Sequence, residues 1–147
     1  VATLQDTRLR GGMDTLMHPD GSQSRLELSD YALVQPLGPG VHRIGPIDLE
    51  WRRTIHHIPT SAVRMRVGDR VIGYSADTSF DPTLIDWLSA SDLIFHETNY
   101  GVHTPLAALA GLPEAIRGRM RLIHYPDQLD PDTAPIACAR EADRLEP

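Results

Sequence analysis

The sequence predicts a mixed α/β fold of the α+β kind, with antiparallel strands first and helices alternating with strands afterwards. Over Ile47–Arg52 and Val63–Val67, apolar and polar residues alternate with the period of two that half-buried strands show. Arg70–Ser75 is an apolar run typical of a buried strand. After Asp81 the pattern changes to helix, strand, helix, strand. This boundary is a change of pattern and not a linker, so we expect one domain over residues 1–147.

The first region contains a run of predicted β-strands beginning near Tyr31. Gly68 and Asp69 have the composition of a two-residue hairpin turn, which makes the two strands around them antiparallel. The clearest strands are Val41–Ile44, Ile47–Ile55, Ala62–Val67 and Arg70–Ser75.

The second region opens with a helix whose start is well marked. Asp81 is a favourable N-cap and Pro82 suits the first helical position. Further along we predict strands over Ser91–His96 and Met120–Tyr125, with a short helix over Pro113–Met120 between them. In the tail, propensity favours a helix over Ile136–Ala142, and a short strand over Asp143–Glu146 is the alternative.

Composition is that of a globular protein and argues against two classes of function. The chain of 147 residues is 41% hydrophobic and 23% charged, and no stretch approaches the length of a membrane span. Val1–Gly12 lacks the character of a signal peptide, and the single cysteine suits a reducing compartment, so we expect a cytoplasmic protein. A net charge of −6 and only scattered arginines make a large nucleic acid an unexpected ligand.

Three predicted strands end on side chains that can bind metals. Asp77 follows the strand that ends at Ser75, His96-Glu97 ends the next strand with His103 soon after, and His124 ends the last. Ligands gather at this edge in open α/β folds. Histidine and carboxylate together are the donors that zinc and related metals prefer. An aspartate in such a loop is also often only a turn residue, and a strand-end histidine often bonds only to backbone.

The same stretches resemble motifs of the metallo-β-lactamase superfamily, in particular its ribonuclease Z-like branch. Each motif is short, but the four occur in the family's order. They are Gly73-Tyr74-Ser75-Ala76-Asp77-Thr78, His96-Glu97-Thr98 followed by His103-Thr104, Leu122-Ile123-His124-Tyr125 and His56-His57-Ile58-Pro59-Thr60.

The resemblance implies half of an αββα sandwich that holds two divalent metal ions, zinc first and manganese or iron as alternatives. Asp77 would bridge the two ions, His56 would complete the first and His124 the second. His57 is the alternative to His56, because adjacent residues of a strand point to opposite faces. His103 would protonate the leaving oxygen and Glu97 would orient it, whereas His96 is expected to stay outside the ligand set. A bland alternative is that His103 only caps the following helix.

One departure from the family pattern is large. The motif His-x-His-x-Asp-His, which supplies four further ligands, is absent, since no His-x-His occurs in the sequence. The resemblance therefore covers the carboxyl-terminal half of such a hydrolase. We expect an amino-terminal half on the same or a separate chain as partner, because the lone half would expose a sheet face, and we also expect a homo-oligomer.

The resulting functional prediction is a dinuclear metal hydrolase that uses a metal-bridging water on a small phosphodiester or related ester. Two metals close together acidify such a water and stabilise displacement at phosphorus. The alternative is a metal-free, degenerate member of the superfamily that serves as a binding or assembly module. The metal content of the purified protein separates the two.

Overall fold

The structure, a computed structural model, describes residues 12–145 and divides the chain into two compact units, Val1–Gly38 and Pro39–Pro147. The described part of the first unit is a small antiparallel hairpin followed by one helical turn. Its elements are β1 (Thr15–Met17), β2 (Gln23–Arg25) and α1 (Leu28–Tyr31). The apolar residues around Leu28 and Tyr31 favoured either a strand or a short helix-to-strand passage. The structure has a helical turn there, and the large sheet, expected from about Tyr31, starts at Val41.

The second unit is built on a six-stranded sheet in which the strands lie in chain order. The first four strands are antiparallel and the last three are parallel, so β6 is shared by both parts. The strands are β3 (Val41–Ile44), β4 (Ile47–Arg53), β5 (Ser61–Val67), β6 (Arg70–Tyr74), β7 (Leu93–Glu97) and β8 (Met120–Ile123). The predicted mixed sheet is confirmed, with strand ends that agree to within two residues.

Helices make the connections between the parallel strands, as parallel pairing requires. The first is α2 (Pro82–Leu88), and its N-cap Asp81 accepts a hydrogen bond from the backbone of Thr83, as the sequence predicted. Two short helices, α3 (Leu106–Ala110) and α4 (Glu114–Arg117), lie between β7 and β8. Within residues 12–145, none of the helices has the length and apolar character of a membrane span.

One face of the sheet is covered and forms the core. Leu84, Ile85 and Leu88 of α2 and Leu109 of α3 pack there against apolar side chains of the strands. Trp87 lies at the same face, under the guanidinium groups of Arg52 and Arg64, 5.0 and 4.4 Å from its ring centroid. The strand residues in this core are Ala62, Ile94, Met120 and Leu122.

The opposite face, which we call the open face, carries apolar side chains that none of the described helices of this unit covers. Strand register places them side by side, because directly paired residues point to the same side of a sheet. Most are half-buried, whereas the core residues are almost fully buried. The open-face residues are Ile47, Leu49, Trp51, Val63, Met65, Val67, Ile72, Tyr74 and Phe95.

The tail does not form the predicted helix, and no strand is present over residues 143–145. Ile136 and Cys138 are both buried, while Ala137 between them is exposed. Cys138 forms an isolated parallel bridge with Leu122, and backbone hydrogen bonds link Leu122 to Ala137 and Ala139. The tail therefore extends the edge of β8 in extended conformation, because this pairing buries two apolar side chains.

Candidate metal centre

Asp77 lies in the loop between β6 and α2, where the sequence placed it. Its backbone carbonyl accepts hydrogen bonds from the hydroxyl groups of Thr54 and Thr60, at 2.8 and 3.1 Å. Ala76, just before it, has a φ of 52°, in the left-handed region that favours glycine. These constraints hold the carboxylate in a defined, half-buried position at the carboxyl edge of the sheet.

Two histidines approach the Asp77 carboxylate from opposite sides of its loop. His124 Nδ1 lies 3.3 Å from Oδ1, and His56 Nε2 lies 3.9 Å from Oδ2. The His56 side chain is 2% exposed, whereas that of His57 is exposed and its ring packs against His56 with centroids 4.2 Å apart. The structure therefore places His56, and not His57, beside Asp77.

The reason expected for only one of these histidines entering the site is wrong. Residues 54–60 form an irregular loop after β4, so strand alternation does not orient His56 and His57. The loop is instead fixed by a hydrogen bond between the Thr54 and Thr60 hydroxyls and by the bond from the Ser79 amide to the Ile55 carbonyl. His56 points inward because this loop folds over Asp77.

Glu97 is a fully buried carboxylate at the end of β7. Its Oε1 accepts hydrogen bonds from the Thr78 amide at 2.7 Å and from His103 Nδ1 at 3.0 Å. Its Oε2 lies 3.6 Å from His124 Nδ1 and has no hydrogen-bond partner. Glu97 thus connects the two histidines that follow β7 and β8.

His103 does not cap the helix that follows it. The N-cap of α3 is Pro105 and no side chain bonds to the helix start, so the capping alternative is wrong. Its ring lies between those of His56 and His124, with centroid distances of 5.1 and 5.0 Å. One donor atom from each of Asp77, His103 and His124 falls within 4.8 Å of the others, close enough to share one metal ion.

His96 lies apart from this group, on the covered face of the sheet. Its Nδ1 bonds to the carbonyl of Glu97 at 2.7 Å, and burial lowers the pKa of its imidazole, so the ring stays neutral. His18 and His42, which the sequence did not select, also lie outside the group. His18 bonds to the Ser24 hydroxyl at 2.7 Å within the first unit.

Two small residues that the sequence did not reveal as important form hydrogen bonds around the centre. The Ser75 hydroxyl is buried and accepts a hydrogen bond from the Glu97 amide at 3.0 Å. Thr78 is also buried, and its carbonyl accepts a bond from the Thr104 hydroxyl at 2.9 Å. Both belong to the motif around Asp77, so their position was visible, but the Ser and Thr identities alone did not reveal that they tie β6 to β7.

The fold identifies the class of protein. A solved Bacillus subtilis protein, YhfI, described as a metallo-β-lactamase fold protein, superposes with a TM-score of 0.58 at 22% identity. The match covers 67% of this chain and 44% of that one. The chain therefore has the metallo-β-lactamase fold, as the sequence motifs predicted.

Sequence comparison assigns the chain to a family that is narrower than this fold. The model of the Anti-Pycsar protein Apyc1 family matches residues 1–142, and the chain belongs to that family. An Apyc1 from Bacillus phage 010DV004 is 29% identical over 143 residues, covering 88% of this chain and 54% of the relative. A cAMP/cGMP-dependent 3',5'-cAMP/cGMP phosphodiesterase B from Dictyostelium discoideum is 28% identical over 102 residues, covering 56% of this chain and 9% of that protein. The chain thus spans about half the length of the Apyc1 relative.

Proposed function

We propose that this chain forms the carboxyl-terminal half of a metal-dependent phosphodiesterase that hydrolyses small cyclic nucleotides. The observation that carries the proposal is the convergence of Asp77, His103 and His124 beside the buried Glu97. The phosphodiesterase relative supports the choice of bond, since its name specifies 3',5'-cAMP and cGMP. The acidic net charge of −6 also suits a small substrate better than a large nucleic acid.

The side chains fit the metals that the family resemblance implies. His56 Nδ1 and Glu97 Oε2 are buried without hydrogen-bond partners, which is costly unless another group satisfies them. Asp77, His56 and His124 would hold the ions, zinc first and manganese or iron as alternatives. Two such ions would acidify water and neutralise the charge that develops on the phosphate.

His103 would donate the proton that the leaving oxygen needs. Nδ1 donates a hydrogen bond to Glu97, which fixes the orientation of the ring. Nε2 is then the atom that holds a proton. As the water oxygen bonds to phosphorus, the ester P–O bond breaks and the leaving alkoxide takes this proton. This pair is the feature that most resembles the ribonuclease Z-like branch.

The complete site would need a second half, on the same or a separate polypeptide. Three observations support this: the sequence has no His-x-His, the chain spans 54% of an Apyc1 relative, and the open face carries apolar side chains. An amino-terminal half would supply the missing ligands and cover that face. Self-association of the completed protein into a homo-oligomer is part of the same proposal.

The test is metal content together with hydrolysis of cyclic AMP, measured on the protein that contains both halves. We expect about two metal ions per site, and we expect Asp77→Ala to lose both metal and activity. Asp86→Ala is the matched control, because Asp86 is an exposed carboxylate on α2. It should keep both properties.

The alternative, a metal-free module for binding or assembly, is favoured by the absent His-x-His. It predicts a folded protein with no bound metal and no hydrolysis, in which Asp77→Ala changes neither. That result would overturn the proposed enzyme. Metal binding without hydrolysis of any cyclic nucleotide would overturn the substrate class alone.

A further inference from the structure

A cleft of about 370 Å³ opens beside the candidate metal centre, within the range of small-molecule sites. We propose that this cleft holds the nucleobase of the substrate, with the aromatic ring of Tyr100 as the stacking platform. This inference rests on the proposed function and adds the part of the molecule that recognises the base. The cleft is lined by Thr98, Asn99, Tyr100, Pro105, Leu106 and Gln128, among others.

The cleft and the metal centre are formed by the same two loops. Thr98 and Asn99 follow directly on Glu97, and Pro126 comes two residues after His124. The Asn99 amide group donates a hydrogen bond to the His124 carbonyl at 3.0 Å, which ties the wall of the cleft to the loop of the centre. A ligand whose phosphate lies among the histidines therefore has this cleft within reach.

The cleft has the chemistry of a site for a neutral, flat group. None of its lining residues is charged, whereas the adjoining centre contains carboxylates and histidines. Leu106 and Leu129 form apolar walls that also pack against the core, so the cleft does not depend on loops alone. A phosphate would find no cation here, but a nucleobase would bury its faces against apolar walls.

Tyr100 is placed to stack on such a group. It is 68% exposed, although a large aromatic side chain gains by burial, and it lines the cleft. Its amide donates to the Asn99 side chain at 2.9 Å, and Gly101 turns the chain directly afterwards with a φ of 71°. The backbone of Tyr100 is thus fixed while its ring stays free. Gln128, exposed at the rim, can hydrogen-bond to the edge of a base.

The experiment compares two substrates with the same scissile bond, cyclic AMP and the 3',5'-cyclic phosphate of methyl riboside, which has no base. Tyr100→Ala should lower kcat/KM for cyclic AMP roughly 5- to 100-fold, the range that base stacking on an aromatic ring contributes. It should change kcat/KM for the base-free substrate less than about twofold. Tyr100→Phe should restore most of the loss, because it keeps the ring.

A second variant tests the cleft itself. Gln128→Trp would fill the cleft from an exposed position and should give the same selective loss, without a cost in stability. Val102→Ala is the control, because Val102 is exposed in the same loop and does not line the cleft. It should leave both substrates unaffected. Equal losses on both substrates, or no loss on either, would overturn the base cleft.

Equilibrium binding separates this inference from the proposed function. If the protein hydrolyses neither substrate, calorimetric titration with cyclic AMP still reports on the cleft. Binding that Tyr100→Ala and Gln128→Trp both weaken would support the cleft although the enzyme proposal had failed. Binding that neither variant weakens, or no binding at all, would overturn the cleft.

Discussion

A buried carboxylate is costly unless charged or polar groups compensate it, and the two oxygens of Glu97 are compensated unequally. One oxygen is held by the Thr78 amide and His103, while the other lies near His124 without a hydrogen bond. A glutamate with only a structural role would stabilise the fold more if both of its oxygens accepted hydrogen bonds. This arrangement is consistent with the proposed role of Glu97, in which it would orient the neighbouring histidines.

His103→Ala tests the role of this pair. A general acid typically contributes 10²- to 10⁴-fold, so we expect the turnover number to fall by roughly that factor. Metal content and melting temperature should stay nearly unchanged, because Asp77 and the other histidines remain. The loss should be smallest with p-nitrophenyl esters of phosphate, whose leaving group needs no proton. Turnover on both substrate types and metal analysis measure this.

Two other outcomes would assign His103 differently. Loss of a metal ion would make His103 a ligand, as its position within 4.8 Å of Asp77 and His124 donors permits. Loss of stability alone would make it a structural residue. If Glu97 acts through His103, Glu97→Gln should show the same pattern as His103→Ala. The turnover number should fall least on substrates with good leaving groups.

Backbone strain at the centre is invisible in the sequence motifs alone. Ala76 and His124 both adopt positive φ, at 52° and 47°, although neither is glycine. Such conformations cost about 1–2 kcal/mol for a residue with a side chain, and they concentrate at functional sites. The sequence shows an alanine at position 76, but the left-handed backbone of that alanine emerges only from the fold.

At the scale of secondary structure, β6 and α2 meet at Gly73. A Cβ added there would lie 2.7 Å from Ser91 Oγ and 2.9 Å from Leu88 Cδ2, and both residues are buried. Since the surrounding core cannot give way freely, Gly73→Ala should destabilise the protein by about 1–3 kcal/mol, the usual cost of overpacking. Chemical denaturation measures this change.

Gly111→Ala is the matched control for Gly73→Ala. Its backbone has an ordinary φ of −78° at the end of α3, and an added Cβ would meet only atoms 3.6 Å away. This variant should be neutral or slightly more stable. If Gly73→Ala were as stable as Gly111→Ala, the close packing of α2 on β6 would be wrong.

The elements that sequence predicted best are those with local signals. The hairpin at Gly68, the strand before Asp77 and the capped start of α2 each carry their own turn or capping residues. The helix predicted for the tail is absent, because pairing with β8 outweighed the helix propensity of these residues. The buried Ile136 and Cys138 alternate with exposed Ala137, which is a strand pattern, but too short to outweigh propensity without knowledge of the open edge.

Local sequence signals also made part of the candidate site predictable. Each strand end is marked locally by Asp77, His103 or His124, whereas their convergence depends on the parallel order of β6, β7 and β8. The family resemblance favoured His56, but the residues alone left His57 as an alternative, because the orientation of both depends on an irregular loop held by contacts to residues distant in sequence.

For the whole molecule, the two faces of the sheet differ in how they are covered. On one face the helices bury the core residues almost completely, while the open face keeps half-buried residues such as Leu49, Met65 and Ile72. Contiguous apolar surface that is left uncovered is typical of protein interfaces. Since the candidate metal centre lies at the edge of the same sheet, a partner that covered the open face, as we propose, would also be placed to complete the centre.

This partner proposal predicts how open-face variants behave. The double variant Met65→Gln, Val67→Gln places polar groups on the open face, while Arg66→Gln changes the residue between them, which points to the other side. In the protein that contains both halves, the double variant should loosen their packing and lower activity and metal retention together. The chain alone should self-associate or unfold without cooperativity, as sedimentation and thermal unfolding would show. Arg66→Gln should match the wild type. If the isolated chain were a monomer that unfolds cooperatively, the open face would need no partner, and the missing ligands would have to come from elsewhere.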